Sequence, residues 1–190
     1  AVLDSLRQPM EAGKITISRA EAHVDYPANF QLLAAMNHCK CGKFKDPKKA
    51  CSKAPRCLQE YQNKIPGPIL DRIDIFVEVD EFSNYDFKPN KSVETSAMIA
   101  KKVEVARMLQ VERYKEFKFR TNSQLDGKLL QCFASPEQKG DELLKKFAMK
   151  NKISLRSYSR ILKVARTIAD LEQKEILGLH HIAEALNYRT

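Results

Sequence analysis

Two polar side chains border apolar segments in the first half of the sequence. Asn37 ends the run QLLAAMN at residues 31–37, and Arg72 lies between a Pro/Gly turn at residues 66–68 and the apolar run at 73–79. An amide at the end of a buried strand can orient a water molecule for attack on a γ-phosphate, and a guanidinium can bind phosphate oxygens as a fork. This layout is typical of a ring-forming, nucleotide-driven motor, with Asn37 as the sensor and Arg72 as the arginine finger inserted into a neighbouring subunit.

Both residues also have a structural interpretation. An Asn that precedes His38 is a common turn residue, and Arg72 could form an ion pair with Asp71 or Asp74. The two interpretations differ in their consequence, because only the catalytic one makes each side chain essential for turnover.

Four cysteines cluster in one segment, with the spacing Cys-x-Cys-x9-Cys-x5-Cys: Cys39, Cys41, Cys51 and Cys57. Four thiols in one loop of a protein from a reducing cytoplasm favour a structural Zn²⁺ site over disulfides. The second pair is wider than zinc pairs usually are, so either Cys57 or His38 is the fourth ligand if a metal is bound. The fifth cysteine, Cys132, is expected in the core.

The net charge of +9 is concentrated in the same segment. Residues 40–64 contain eight Lys and Arg residues, Lys48 and Lys49 among them, against Asp46 and Glu60. A dense basic loop favours a polyanion partner, because neutralised phosphates release counterions. DNA contact is therefore one interpretation, and a solvated lysine-rich loop without a partner is the other.

A second basic group lies near the carboxyl end of the chain. Arg156, Arg160 and Lys163 have the spacing i, i+4 and i+7, so they share one face of a predicted helix. An apolar stripe that includes Leu155 and Leu162 is predicted on the opposite face. Basic helix faces are usually only solvated, but this one could also bind a nucleotide.

These residues need an α/β half followed by an all-helical half to position them. In the first half the patterns predict a helix at residues 1–12, strands at 15–18, 30–36 and 73–79, and a protruding hairpin over 19–27. In the second half they predict helices at 92–117, 125–133, from Ser135, 154–171 and 179–188.

The domain boundaries follow the change in composition. Residues 1–80 are predicted to form one domain, the turn-rich residues 81–91 a linker, and residues 92–190 a helical domain. We expect no membrane span, and because residue 1 lies within a predicted helix we expect the chain to be a fragment of a longer cytoplasmic protein.

Five segments together resemble one known family, the bacterial Mg-chelatase-like AAA+ ATPases linked to natural competence. They are LRQPMEAGKITISRA at 6–20, PANFQLLAAMN at 27–37 followed by CKCG, GPILDRID at 67–74, SYSRILKVARTIADL at 157–171 and HIAEALNYR at 181–189. The resemblance implies the later strands of a three-layer AAA+ core followed by a helical lid.

The resemblance also implies roles for residues. Asn37 would be sensor 1, Arg72 the finger and Arg156 the lid arginine (sensor 2), with Arg160 beside it as a further nucleotide contact. The hairpin matches the pore loop of helicase-like relatives, so Lys14, Arg19 and His23 would contact the DNA backbone. Asn37 and Arg72 gain most from this match.

The implied activity is that of a hexameric ATPase, using ATP and Mg²⁺, that acts on branched or single-stranded DNA in recombination and natural transformation. The glycine-rich phosphate loop and the Asp-Glu strand are absent from this sequence, so the chain alone is expected to be inactive. Two alternatives stay open: a metal-chelatase motor subunit, and a non-enzymatic module that binds zinc and nucleic acid.

Overall fold

The computed structural model describes residues 2–37, 39, 52–53, 56–79 and 94–189. The chain divides into two compact units, Ala1–Ile73 and Asp74–Thr190, which we call the first unit and the helical unit. The sequence-predicted linker at 81–91 and the segment at 40–51 lie outside the described residues.

The first unit begins with two short helices, α1 (Val2–Ser5) and α2 (Arg7–Ala12). Gly13 ends α2 in the left-handed conformation, with φ of 64°, and its N–H donates to the carbonyl of Pro9. A Cβ at this position would lie 2.6 Å from Oδ1 of Asn29, so the turn requires glycine both for its backbone angle and for space.

A two-stranded antiparallel hairpin follows, formed by β1 (Lys14–Arg19) and β2 (Ala22–Pro27). The register places Ile17 opposite Val24 and Arg19 opposite Ala22, which leaves a two-residue turn. Because side chains alternate across a strand, one face carries the apolar residues and the other the polar ones. The polar face consists of Lys14, Thr16, Ser18, His23 and Asp25.

The hairpin corrects one prediction and confirms another. The strand predicted at 15–18 is part of β1, but the second strand lies within the predicted loop, and residues 28–37 have no regular secondary structure. The sequence AHVDYP alternates apolar and polar residues with period two, in register with KITISR, so this nearby segment pairs with β1. The apolar run at 30–36 is not paired with a strand in the described part of the chain.

Two more helices complete the first unit, α3 (Arg56–Gln62) and α4 (Gly67–Leu70). The Pro66-Gly67-Pro68 sequence was predicted as a turn, and it forms the start of α4, with Pro68 in the first turn, where proline needs no hydrogen-bonded N–H. Ile69 of this helix is buried, and Arg72 follows directly after its end.

The predicted strand at 73–79 is wrong as a regular element. These residues have no assigned strand, although the N–H of Phe76 donates to the carbonyl of Tyr188 at 2.9 Å. Ile75, Val77 and Val79 are exposed. An apolar strand needs neighbouring strands to take up its backbone hydrogen bonds, and the described residues provide only this bond to a helix end.

The helical unit contains five helices in its described residues: α5 (Ser96–Arg113), α6 (Gly127–Phe133), α7 (Gln138–Asn151), α8 (Leu155–Leu171) and α9 (Leu179–Asn187). A 3-10 turn, Asn122–Gln124, precedes α6. The hydrophobic core forms where α8 packs against α5, α6 and α9, and its fully buried members include Leu144, Ile161 and Ile182.

Several helix boundaries were predicted correctly, because they depend on local caps. Ser154 caps α8 by accepting a hydrogen bond from the N–H of Ser157 at 3.1 Å, as expected of a capping hydroxyl. The start predicted at Ser135 is wrong: α7 begins at Gln138, and the Ser135 hydroxyl instead donates to the carbonyl of Gln131 at 2.6 Å.

Two predictions of core residues are also wrong. Leu155 is exposed at the start of α8, and Cys132 is exposed on α6. The buried face of α8 instead includes two charged residues, Arg166 and Asp170. Among the described residues, no helix is long and apolar enough to cross a bilayer.

The described residues therefore give a mixed α/β unit followed by an all-helical one, consistent with part of an AAA+-like fold. The three-layer core, the lid and the boundaries at 80 and 92 stay predictions.

Candidate functional site: an arginine-rich nucleotide and DNA interface

Arg72 lies directly after α4 and is 4% exposed. Its guanidinium donates to the carbonyl of Pro68 at 2.5 Å and forms an ion pair with Glu11 of α2. Sequence reasoning did not indicate Glu11, which is 61 residues away along the chain. In the single chain, Arg72 therefore bridges α2 and α4, and its role as a finger toward a neighbouring subunit stays a prediction.

Asn37 is exposed at the end of the irregular segment 28–37. The sequence placed it at the end of a buried strand, and that strand is not formed in the described residues. A sensor amide must be held within hydrogen-bonding distance of an attacking water, which requires a fixed backbone. The sensor role of Asn37 stays a prediction.

The basic face of α8 contains one exposed and two partly buried cations. Arg156 is exposed in the first turn of the helix. Arg160 forms an ion pair with Asp74, and Lys163 donates to the carbonyl of Ser123 at 3.0 Å. Burial lowers the pKa of Lys163, partly offset by Asp126. Of the two arginines predicted to bind nucleotide, Arg156 is therefore the more accessible.

The polar face of the hairpin is hydrogen-bonded across its strands. Asp25 accepts from Nζ of Lys14 at 2.6 Å and from the hydroxyl of Thr16 at 2.5 Å, and these bonds lower the pKa of its carboxyl group. His23 Nδ1 lies 2.8 Å from the hydroxyl oxygen of Ser18. Lys14 and His23 thus have partners within the hairpin.

Arg19 lies on the other face of the hairpin, beside the turn, and is exposed. The three DNA contacts predicted in this region are therefore divided between two faces, with Lys14 and His23 on the polar face. A phosphate backbone that follows one face would meet Arg19 without those two residues.

The predicted metal ligands are only partly within the described residues. Cys39 is buried and Cys57 is half-buried. Cys41, Cys51 and His38 lie outside the described residues, as do the predicted DNA contacts Lys48 and Lys49. The zinc site and its fourth ligand stay predictions.

Sequence reasoning missed a cluster of Glu172, His180 and His181, whose possible ligand atoms lie within 4.8 Å of one another. Successive residues on a helix point about 100° apart, so the spacing alone would not predict that both imidazoles reach one carboxylate. His180 Nε2 lies 3.1 Å and His181 Nε2 lies 3.2 Å from the same oxygen of Glu172.

Hydrogen bonding assigns this cluster a structural role. The N–H of Gly178 donates to Nδ1 of His181 at 2.9 Å, so the neutral ring carries its proton on Nε2 and donates it to Glu172. A metal ion would need the lone pair of that Nε2 atom. Burial, with a smaller effect of His180, lowers the pKa of His181. The cluster thus anchors the end of α8 to the first turn of α9.

Comparison with known families places these features in context. Residues 1–87 match the family model described as magnesium chelatase, subunit ChlI, and residues 93–189 match the model described as magnesium chelatase, subunit ChlI C-terminal. The chain therefore belongs to the magnesium chelatase ChlI family.

Individual relatives match almost the whole chain. Competence protein ComM of Haemophilus influenzae is 40% identical over 99% of this chain. The uncharacterized protein YifB of Escherichia coli is 36% identical over 98%, and a protein of Mycobacterium bovis, Mb2921c, is 32% identical over 100%. The chain spans 36–37% of the length of these relatives. The resemblance to the competence-associated branch is confirmed.

Proposed function

We propose that this chain is part of a ring-forming AAA+ ATPase that couples ATP hydrolysis to DNA remodelling or branch migration in recombination and natural transformation. The observation that carries the proposal is the 40% identity, over 99% of the chain, to a protein named for competence. The segments that include Asn37, Arg72 and Arg156 all lie within that match.

Arg72 acts in this proposal as the finger that reaches the γ-phosphate bound by a neighbouring subunit. Its ion pair with Glu11 holds the guanidinium in place within the single chain. Glu11 is itself half exposed, so the arginine can exchange a carboxylate for phosphate oxygens, which it also binds as a fork. Asn37 orients the attacking water in the same reaction.

Arg156 of α8 is the lid arginine of the proposal. Its exposure in the first helical turn supports this role, because a guanidinium that binds nucleotide must be accessible. ATP with Mg²⁺ supplies the phosphoryl group and its charge neutralisation when bound. The phosphate loop is absent from this sequence, so the residues here would act only as sensor, finger and lid contacts.

DNA contact depends in this proposal mainly on the basic segment at residues 40–64, with its net charge of +6. The hairpin contributes less, because residues 14–27 contain two cations, Lys14 and Arg19, and two anions, Glu21 and Asp25. A structural Zn²⁺ held by Cys39 and its neighbouring cysteines would order the basic segment without taking part in the chemistry.

The test is ATP turnover by the intact protein that contains this chain, with and without forked or single-stranded DNA, at two salt concentrations. We expect stimulation by DNA that weakens as salt rises. Asn37→Ala and Arg72→Ala should each abolish turnover while nucleotide binding persists, and Lys145→Ala on α7 is the control. Turnover that is indifferent to DNA would favour a metal-chelatase motor, as the family description suggests. Retained turnover in either variant would refute that residue's role.

A further inference from the structure

Two charged residues, Arg72 and Asp74, are separated by one residue and have partners in different units. Arg72 bonds to Pro68 and Glu11, both in the first unit. Asp74 forms an ion pair with Arg160, in the helical unit. The boundary between the units falls between Ile73 and Asp74. The chain is therefore held by an ion pair on each side of this boundary.

The segment after the boundary is attached to the helical unit at two points. Besides the ion pair of Asp74 with Arg160 on α8, the N–H of Phe76 donates to the carbonyl of Tyr188, after α9, at 2.9 Å. Asp74 also raises the pKa of Lys163, one turn further along α8, against the larger lowering effect of burial. A carboxylate thus lies against the middle of the basic face of α8.

The position of this carboxylate distinguishes the two arginines of the face. Arg160 has 18% of its side chain exposed and is bound to Asp74, whereas Arg156, one helical turn before it, is exposed. Two cations at i and i+4 repel each other on a helix. A carboxylate bound to the second one reduces that repulsion and leaves the first one directed to solvent.

We propose that Asp74 is a positioning residue for nucleotide turnover: by binding Arg160, it fixes the chain immediately after Arg72 to the helix that bears Arg156. The inference rests on the proposed ATPase function and deepens it. Arg160 then acts through Asp74 and does not bind phosphate itself. The ion pair links the finger segment to the lid helix, so the two arginines that contact nucleotide are positioned together.

The test is a charge swap in the intact protein, using Asp74→Arg, Arg160→Asp and the double variant. Displacing a catalytic group by about 1 Å can cost on the order of 100-fold in rate. Each single variant should therefore lower kcat at least about tenfold, with a smaller change in KM, and the double variant should recover most of the loss. The control is the same swap in the exposed pair of Lys145 and Asp141 on α7, which should leave turnover unchanged.

Three results would overturn the inference. Wild-type turnover in Asp74→Arg would remove the role of Asp74. Loss in Arg160→Asp that the double variant does not recover would indicate that Arg160 contacts phosphate directly. Absence of coupling between the two positions in a double-mutant cycle of urea unfolding, measured on this chain, would remove the ion pair itself. That last measurement is independent of ATP turnover, whereas a wild-type protein without turnover would refute the proposed function.

Discussion

The two units of this chain bury their apolar residues to different extents. In the helical unit, α8 packs against its neighbours and encloses a continuous core. In the first unit, the apolar side chains of residues 30–36 are exposed, and Leu33 is 85% exposed. A helix satisfies its own backbone hydrogen bonds, whereas a strand needs a neighbouring strand. The helical unit is thus complete in itself, and the apolar segments of the first unit become buried only when other strands pair with them.

The same difference applies to charge. The helical unit buries a complete polar network, in which Asp170 accepts hydrogen bonds from Arg113, Arg166 and Asn122. Burial would raise the pKa of Asp170, but these bonds outweigh it and hold the pKa below its usual range. The described part of the first unit instead has single ion pairs that reach solvent, such as the pair of Arg72 with Glu11.

The largest expected effect comes from breaking that network. Asp170→Asn leaves the guanidinium groups of Arg113 and Arg166 without their carboxylate. Removing one partner of a buried ion pair costs about 3–5 kcal/mol, and the partial exposure of Arg113 places the expected loss near the lower end of that range. Urea unfolding followed by circular dichroism measures it. Asp141→Asn, in the exposed pair on α7, is the control and should change stability little.

The next effect compares the two units directly. Leu144→Ala removes a fully buried side chain from the helical core and should cost about 2–5 kcal/mol. Leu33→Ala makes the same truncation at an exposed position of the first unit and should stay within about 0.5 kcal/mol. Both are measured by urea unfolding of this chain. Equal losses would show that residues 30–36 are packed in solution, and the contrast between the units would fail.

The smallest effect is a pH dependence in the helical unit. Because the fold lowers the pKa of His181, the unfolded chain binds the proton more readily. The contribution is therefore fully present above the unfolded pKa of about 6.5 and is lost as pH falls below it. Thermal unfolding between pH 7.5 and 5 should show this decrease, and His181→Gln should reduce it. His180→Gln, at the exposed neighbour, is the matched control, and an equal reduction there would refute the role of burial.

Local signals explain what was predicted correctly. The start of α8 follows from the Ser154 hydroxyl, and the stop after α2 follows from Gly13, since each needs only residues within one turn. The start of α7 failed for a tertiary reason. Pro136 forms a bridge with Leu177, and the N–H of Glu137 donates to the carbonyl of Leu177, so the chain enters the helix only after Glu137.

The candidate site shows the same limit. Residue types indicated Arg72, Arg156 and Arg160, because only guanidinium groups combine a permanent charge with a fork of donors. Their partners were not predictable: Glu11 lies 61 residues from Arg72 and Asp74 lies 86 residues from Arg160. Contacts at such separation depend on how the helices pack, and no local pattern specifies them.

The sequence by itself determined the family, the order of an α/β part and a helical part, and the residue types available for nucleotide and DNA contact. It did so because periodicity, caps and motifs are properties of neighbouring residues. The tertiary structure alone decided that Arg72 is buried against Glu11, that Asp74 holds Arg160, and that two adjacent histidines converge on Glu172. Each depends on the free energy of burying a charge or a ring, which exists only once distant segments have packed together.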